Sequence, residues 1–207
     1  REKPKVSAFV SAKLDEIVRL APDLVIGFSD IQADIAQALI KRGVEVWIAN
    51  HRSVDGIIGY VRRLGGMVGA AAKADRYAIG LEAHVAQVKA LGQALPRHPK
   101  VYFEEWDAPQ ISAIGWVSEL IGIAGGADIF PERAACAMGR DRILADPLEV
   151  VRRAPDIILG SWCGKKFRPA SVAGRPGWSA IPAVRDGELH EVKSPLILQP
   201  GPAALTD

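Results

Sequence analysis

The segment EIVRLAPDLVIGFSD, residues 16–30, returns as EVVRRAPDIILGSWC at residues 149–163, without a gap and at an offset of 133 (149 − 16). Glu, Val, Arg, Ala, Pro, Asp and Gly recur at matching places. A phrase written twice constrains the fold strongly, because the same local structure has to be built at two places in one chain. Glu16, Ile17, Val18 and Leu20 read as the last turn of a helix, and Pro22 forces the residue before it out of helical geometry. DLVIGF then reads as a short apolar strand buried on both faces of a parallel sheet. The second copy repeats this with Pro155 and DIILGSW. Gly27 and Gly160 stand where the strand turns at its carboxyl end, the edge at which open α/β sheets bind ligands. Before that glycine most differences are exchanges among apolar residues, with Leu20 against Arg153 the exception; past it no residue is shared, FSD against SWC.

The rest of the chain continues the α/β alternation. Ile31, Ile35 and Leu39 mark an amphipathic helix ending near Gly43, and VEVWIAN alternates as a strand. Val54, Ile57, Ile58, Val61 and Leu64 mark another helix, stopping at Gly65-Gly66. A helical pattern through Tyr77, Leu81, Val85, Val88 and Leu91 then runs over about residues 70–95, a rod roughly 35–40 Å long. Beyond it come a strand at VYFEEW, a helix from Ile114 to Ala124 ending at Gly125-Gly126, the second copy, a strand near SAIPAV, a turn at Asp186-Gly187 and LHEV. The expected fold is α/β, with two Rossmann-like lobes joined by one long helix: 1–54 an N-terminal lobe, 55–96 a helical connector, 97–207 a C-terminal lobe. Only two strands precede the long helix, which is thin for a free-standing sheet. QPGPAALTD reads as a helix just starting near Pro202. The first lobe is therefore expected to be partial and the last helix cut.

Several function classes fit poorly. A composition 49% hydrophobic and 24% charged is globular, and a net charge of +2 supplies no field for nucleic acid. No apolar run approaches the roughly 18 residues of a membrane span. Cys136 and Cys163 show no metal-type spacing and either pair or stay free. His51, His84, His98 and His190 are scattered, which disfavours a zinc or manganese site. LGGMVGAA follows a helix rather than a strand, and GSWCGKK lacks P-loop spacing, so neither supports a nucleotide-dependent enzyme. Glu104, Glu105 and Asp107 cluster without a nucleophile or partner histidine, so no catalytic residue is assigned.

The P-D-[LI]-[VI]-x-G phrase, the long helix and the stretch GWVSELIGIAGGADIF together resemble the periplasmic binding proteins of ABC importers for cobalamin, iron-siderophores and haem, with the corrinoid branch nearest. The resemblance implies two α/β lobes facing each other across a cleft, and a monomer located in the periplasm or otherwise outside the cytoplasm. It implies a non-enzymatic protein that delivers a corrinoid to an importer permease, with a ferric siderophore or haem as the alternative ligand and no cofactor of its own. Relatives of this kind carry a further strand and helix ahead of KPKVS and a closing helix after GPAALTD.

A corrin asks for aromatic walls and a few hydrogen-bonding groups. Phe28, Trp106 and Trp162 lie just beyond strand ends. Trp106 and Trp162 are expected in the cleft, with Trp106 on an exposed loop; for Phe28, cleft and core stand even. Trp116 fits cleft rim or packing, Trp47 fits core, and Trp178 is undecided. Ser29, Asp30 and Gln32 either reach ligand amides or form a solvated helix start capped by Asp30. Glu104, Glu105 and Asp107 either recognise amides or are solvated loop charge. The resemblance also implies one acid per lobe that meets permease arginines. Asp34 falls at the first lobe's position, where an ordinary surface carboxylate is the competing reading, while Lys165, Lys166 and Arg168 crowd the second lobe's loop and break the pattern.

Overall fold

The computed structural model describes residues 3–8 and 10–206. The chain divides into two compact units, Arg1–His51 and Arg52–Asp207, and its class is α/β as expected.

In the first unit, helix α1 (Leu14–Arg19) leads to strand β1 (Val25–Phe28), a single 3-10 turn (Asp30–Gln32), helix α2 (Ala33–Ile40) and strand β2 (Val46–Ala49). β1 and β2 pair in parallel with Ile26 opposite Trp47 and Phe28 opposite Ala49. Ile17, Ala36, Leu39 and Ala49 are buried within it. An apolar hollow of about 250 Å³, lined by Ile17, Leu20, Val25, Leu39 and Val46 among others, lies between these elements.

The second unit opens with helix α3 (Val54–Met67) and the long helix α4 (Ala71–Gln93). Ser53 caps α3 by accepting the Gly56 N–H at 3.0 Å, and Glu119 accepts the Val54 N–H at 2.8 Å. α3 does not stop at Gly65-Gly66 but runs through them to Met67. The glycine serves packing rather than termination: a Cβ on Gly65 would lie 2.1 Å from that of Ala74, so α3 and α4 approach more closely there than side chains allow. Across their surface Arg62 bridges Asp75 and Glu82. At its far end α4 packs through glycines on the turn at residues 123–125, since a Cβ on Gly92 would meet Ile123 O at 2.6 Å and Gly125 N at 2.7 Å.

Strand β3 (Lys100–Asp107) is followed by β4 (Gln110–Ser112), α5 (Gly115–Ile123), β5 (Ala127–Asp128), α6 (Pro131–Ala134), α7 (Leu148–Arg153), β6 (Ile157–Gly160), α8 (Pro169–Ala173), α9 (Pro182–Asp186), β7 (Leu189–Glu191), α10 (Ser194–Ile197) and α11 (Ala203–Thr206). The sheet order is β4-β3-β6-β7, with β5 also on β3. β3, β6 and β7 run parallel, and β4 is antiparallel to β3. One face carries the main core, in which Tyr102, Phe130, Ile158, Trp162, Phe167 and Trp178 pack together. The expected strand near SAIPAV is instead helix α9. Pro182 takes the first helical position, where its missing N–H costs nothing, and Gly187 closes the helix at φ 80°.

The twin phrase builds twin structures. An alanine with positive φ follows each helix, Ala21 at φ 45° just past the Leu20 cap of α1 and Ala154 at φ 47° capping α7, directly before the proline that leads to the strand. Gly27 and Gly160 end the apolar runs for the same kind of reason. A Cβ on Gly27 would lie 2.5 Å from Ile48 Cδ1 and 2.8 Å from Gln32 Oε1, and one on Gly160 would lie 1.9 Å from Phe167 Cδ2 and 2.0 Å from its Cε2. Something folds back over the strand tip in each copy, and only glycine leaves room.

Candidate functional site

At the tip of β1 the polar residues bind their own backbone. Gln32 reaches back so that its Oε1 accepts the Phe28 N–H at 2.8 Å. Ser29, at φ 71° and only 1% exposed, accepts the Ile31 N–H at 3.3 Å and donates to Asp30 Oδ1 at 2.8 Å. Ser29, not Asp30, caps the turn: a residue whose N–H is already bonded to Ala49 O at 2.7 Å is fixed where its short hydroxyl meets the next free amide. Phe28 is half-buried, its ring edge-on to His51 at 5.2 Å. Asp34 is exposed in the first turn of α2.

In the second unit the carboxyl ends of β3 and β6 meet. A β-bulge between Glu104 and Trp106 shifts the pairing with β4, a device that re-aims side chains next to sites. Glu104 turns into the core with no exposure at all. It accepts from Trp162 Nε1 at 3.0 Å, from the Tyr102 hydroxyl at 3.2 Å and from both Arg175 Nη atoms at 2.6 and 2.9 Å. Burial, with the Glu104 charge alongside, holds the Tyr102 hydroxyl well above its ordinary pKa, so it remains a donor. Burial also opposes the charge on Arg175, but the bonds to Glu104 outweigh it and leave that pKa raised. Glu105 forms a two-pronged pair with Arg142 at 2.6 and 3.0 Å, and Asp107 pairs with Lys165. The Lys165 ammonium lies 4.3 Å from the Trp106 ring centre and 5.2 Å from that of Trp162, within cation–π range.

These positions revise several expectations. Trp106 stands inside β3, half-buried against the core, with its Nε1 on Ala108 O at 3.0 Å, rather than on an exposed loop. Trp162, expected on an open wall, is 5% exposed, edge-on to Phe167 at 5.0 Å and tied to Glu104. It is buried because Phe167, enabled by Gly160, folds back over the strand tip. Trp116 is 2% exposed and donates to Ile197 O at 2.8 Å, which resolves its two readings toward packing. Trp178 is also buried, and Trp47 is half-buried. Glu104, Glu105 and Asp107 are neither a free acidic site nor solvated loop charge, since each has its own cation. Arg175, Arg142 and Lys165 lie 71, 37 and 58 residues from their partners, so no local pattern announces them. Both cysteines are unpaired. Among the described residues no group of three or more His, Cys, Asp or Glu converges as a metal site, and no helix is long and apolar enough to cross a membrane.

The strand-exit edge of the second unit thus offers a half-buried indole, a flexible cation and ion-paired carboxylates. These are groups that suit the binding of a partly apolar ligand.

Comparison with known proteins bears on this. The family described as periplasmic binding protein matches residues 1–196. A protein named vitamin B12-binding protein from Vibrio parahaemolyticus serotype O3:K6 (strain RIMD 2210633) is 23% identical over 208 residues, covering 99% of this chain and 72% of that protein. The apo structure of the periplasmic heme-binding protein RhuT from Roseiflexus sp. RS-1 superposes with a TM-score of 0.78 at 22% identity, over 95% of this chain and 76% of that one. The periplasmic vitamin B12-binding protein BtuF of Vibrio cholerae gives a TM-score of 0.74 at 17% identity, over 97% and 76%.

Proposed function

The chain belongs to the periplasmic binding protein family, and from that premise we propose that it is a non-catalytic solute-binding protein, working outside the cytoplasm as a monomer, that captures a corrinoid and passes it to an ABC importer permease. The observation that carries the ligand class is the match along 99% of the chain to a protein named for vitamin B12 binding. The half-buried Trp106 at the carboxyl edge of β3 supports it, because a broad, partly apolar macrocycle needs such a surface.

In this reading Trp106 and Asp107 are the contact candidates of the second unit, and Phe28, Asp30 and Gln32, with Ser29 buried beneath them, are those of the first unit taken by itself. Trp162 stands in the core against which Trp106 packs, and Glu105 and Trp116 are each held by the partner described above. Asp34, exposed on α2, is the permease-facing acid. Haem or a ferric siderophore is the second reading, and Lys165 beside Trp106 suits the carboxylates or other anionic groups of these chelates as it does a corrinoid phosphodiester.

Titration with cyanocobalamin, dicyanocobinamide, haemin and ferric siderophores, followed by calorimetry, tests the assignment. Tight corrinoid binding supports it. Binding of haemin alone, or of none of the four, defeats it. Asp34→Arg is expected to leave ligand affinity unchanged while lowering transfer to the reconstituted permease; unchanged transfer would remove Asp34 from the docking surface.

A further inference from the structure

The acids at the end of β3 are each matched by one cation: Glu104 by Arg175, Glu105 by Arg142 and Asp107 by Lys165. The loop after β6 carries two more cations, Lys166 and Arg168, both exposed and forming no salt bridge among the described residues. The strand-exit rim is therefore net positive, although EEWD read alone reverses that sign. Lys165 is the cation nearest the aromatic surface, with its side chain 41% exposed and its ammonium over Trp106. A pair as exposed as Lys165–Asp107 is weak, and the long lysine stem lets the ammonium exchange one anion for another.

Resting on the ligand-binding reading above, we propose that Lys165, backed by Arg168, receives an anionic group at the edge of a ligand whose apolar body lies on Trp106. Lys165 then sets specificity, discriminating ligands that carry a phosphate or carboxylate from otherwise similar ones that do not. A phosphodiester of a complete corrinoid and a carboxylate of a haem or siderophore share this chemistry. The ammonium's position over the indole also means that the ligand's body has to displace it sideways, onto the ligand's anion or onto Asp107.

The test uses two matched pairs of probes: cyanocobalamin against dicyanocobinamide, which lacks the nucleotide phosphodiester, and haemin against its dimethyl ester. Affinities are measured for the unaltered chain, for Lys165→Met/Arg168→Met and for Asp107→Asn, with circular dichroism to check that each variant is folded. The anionic member of the pair that binds is expected to be favoured about tenfold. The preference should fall to near parity in the double variant, and it should grow in Asp107→Asn, where Lys165 loses its competing partner. Which pair shows the effect identifies the source of the anion. Equal binding within both pairs, or a preference unchanged in the double variant, overturns the proposal while leaving the solute-binding reading intact. No binding of any of the four probes overturns both.

Discussion

Replacing Arg175 with methionine should cost far more stability than an arginine on the surface would suggest. Glu104 is fully buried and receives four donor contacts, two of them from the Arg175 guanidinium. Removing that cation leaves a carboxylate with only the Tyr102 hydroxyl and the Trp162 indole N–H. Breaking a buried pair from one side costs about 3–5 kcal/mol. Because the Arg175 side chain is 17% exposed and water can follow it out, the lower end, about 3 kcal/mol, is expected. Methionine keeps the apolar contact with Trp178, over whose ring the guanidinium sits at 4.5 Å. The loss of cation–π attraction adds about 1 kcal/mol at most. Glu104→Gln in the same background should recover most of this, because the amide oxygen accepts from Trp162 and the amide nitrogen donates to the Tyr102 oxygen. Urea unfolding of the two single variants and the double, followed by circular dichroism and tryptophan fluorescence, gives the coupling energy, expected at about 2 kcal/mol. Arg175→Met within about 0.5 kcal/mol of the parent, or strictly additive effects, would refute the view that buried Glu104 depends on the Arg175 guanidinium.

Gly160→Ala should destabilise by about 3 kcal/mol or more, since the new methyl clashes with the edge of the Phe167 ring, whereas Gly66→Ala, with open space around it, should stabilise α3 by up to about 1 kcal/mol; thermal unfolding of the pair separates packing from helix propensity. Ala154→Gly should gain about 1 kcal/mol by relieving the left-handed backbone at φ 47°, visible as a higher urea midpoint. Burial holds the Asp128 pKa above the ordinary carboxylate value despite hydrogen bonds from Ser118 and the Phe130 N–H. Its folded form therefore binds the proton more readily than its unfolded form, so its contribution to stability falls as pH rises from the ordinary carboxylate pKa through the raised one. Asp128→Asn keeps the Phe130 N–H bond on its amide oxygen and reverses the Ser118 bond, the amide nitrogen donating to the hydroxyl oxygen; its stability gain over the parent should be present at pH 7 and vanish near pH 3, and a gain independent of pH would show that burial does not perturb this carboxyl.

The fold was legible where periodicity and repetition carry it. The doubled phrase forecast two helix–proline–strand units, and both alanines, both prolines and both glycines play the same parts in the structure. The long helix was legible from its uninterrupted apolar spacing. What misled was local chemistry with a second use. Pro182 in an apolar run opens a helix as readily as it ends a strand, and Gly65 mid-helix marks a close crossing rather than a stop. The site was less legible because its geometry is made by distant residues. EEWD looks acidic until Arg142, Lys165 and Arg175 arrive from three later segments. Trp162 looks like a wall residue until Phe167 folds over the strand tip and buries it. The wall reading of Trp106 remains physically open because its ring is only half-covered.

Differential hydrogen–deuterium exchange with and without cyanocobalamin addresses most directly the claim that the strand exits are the binding surface. Ligand is expected to slow exchange in residues 104–107 and 161–168, at the strand exits of the second unit, while the exposed side of α4 is unaffected. Slowing confined to α4, or none at the strand exits under conditions where the ligand is demonstrably bound, would contradict it.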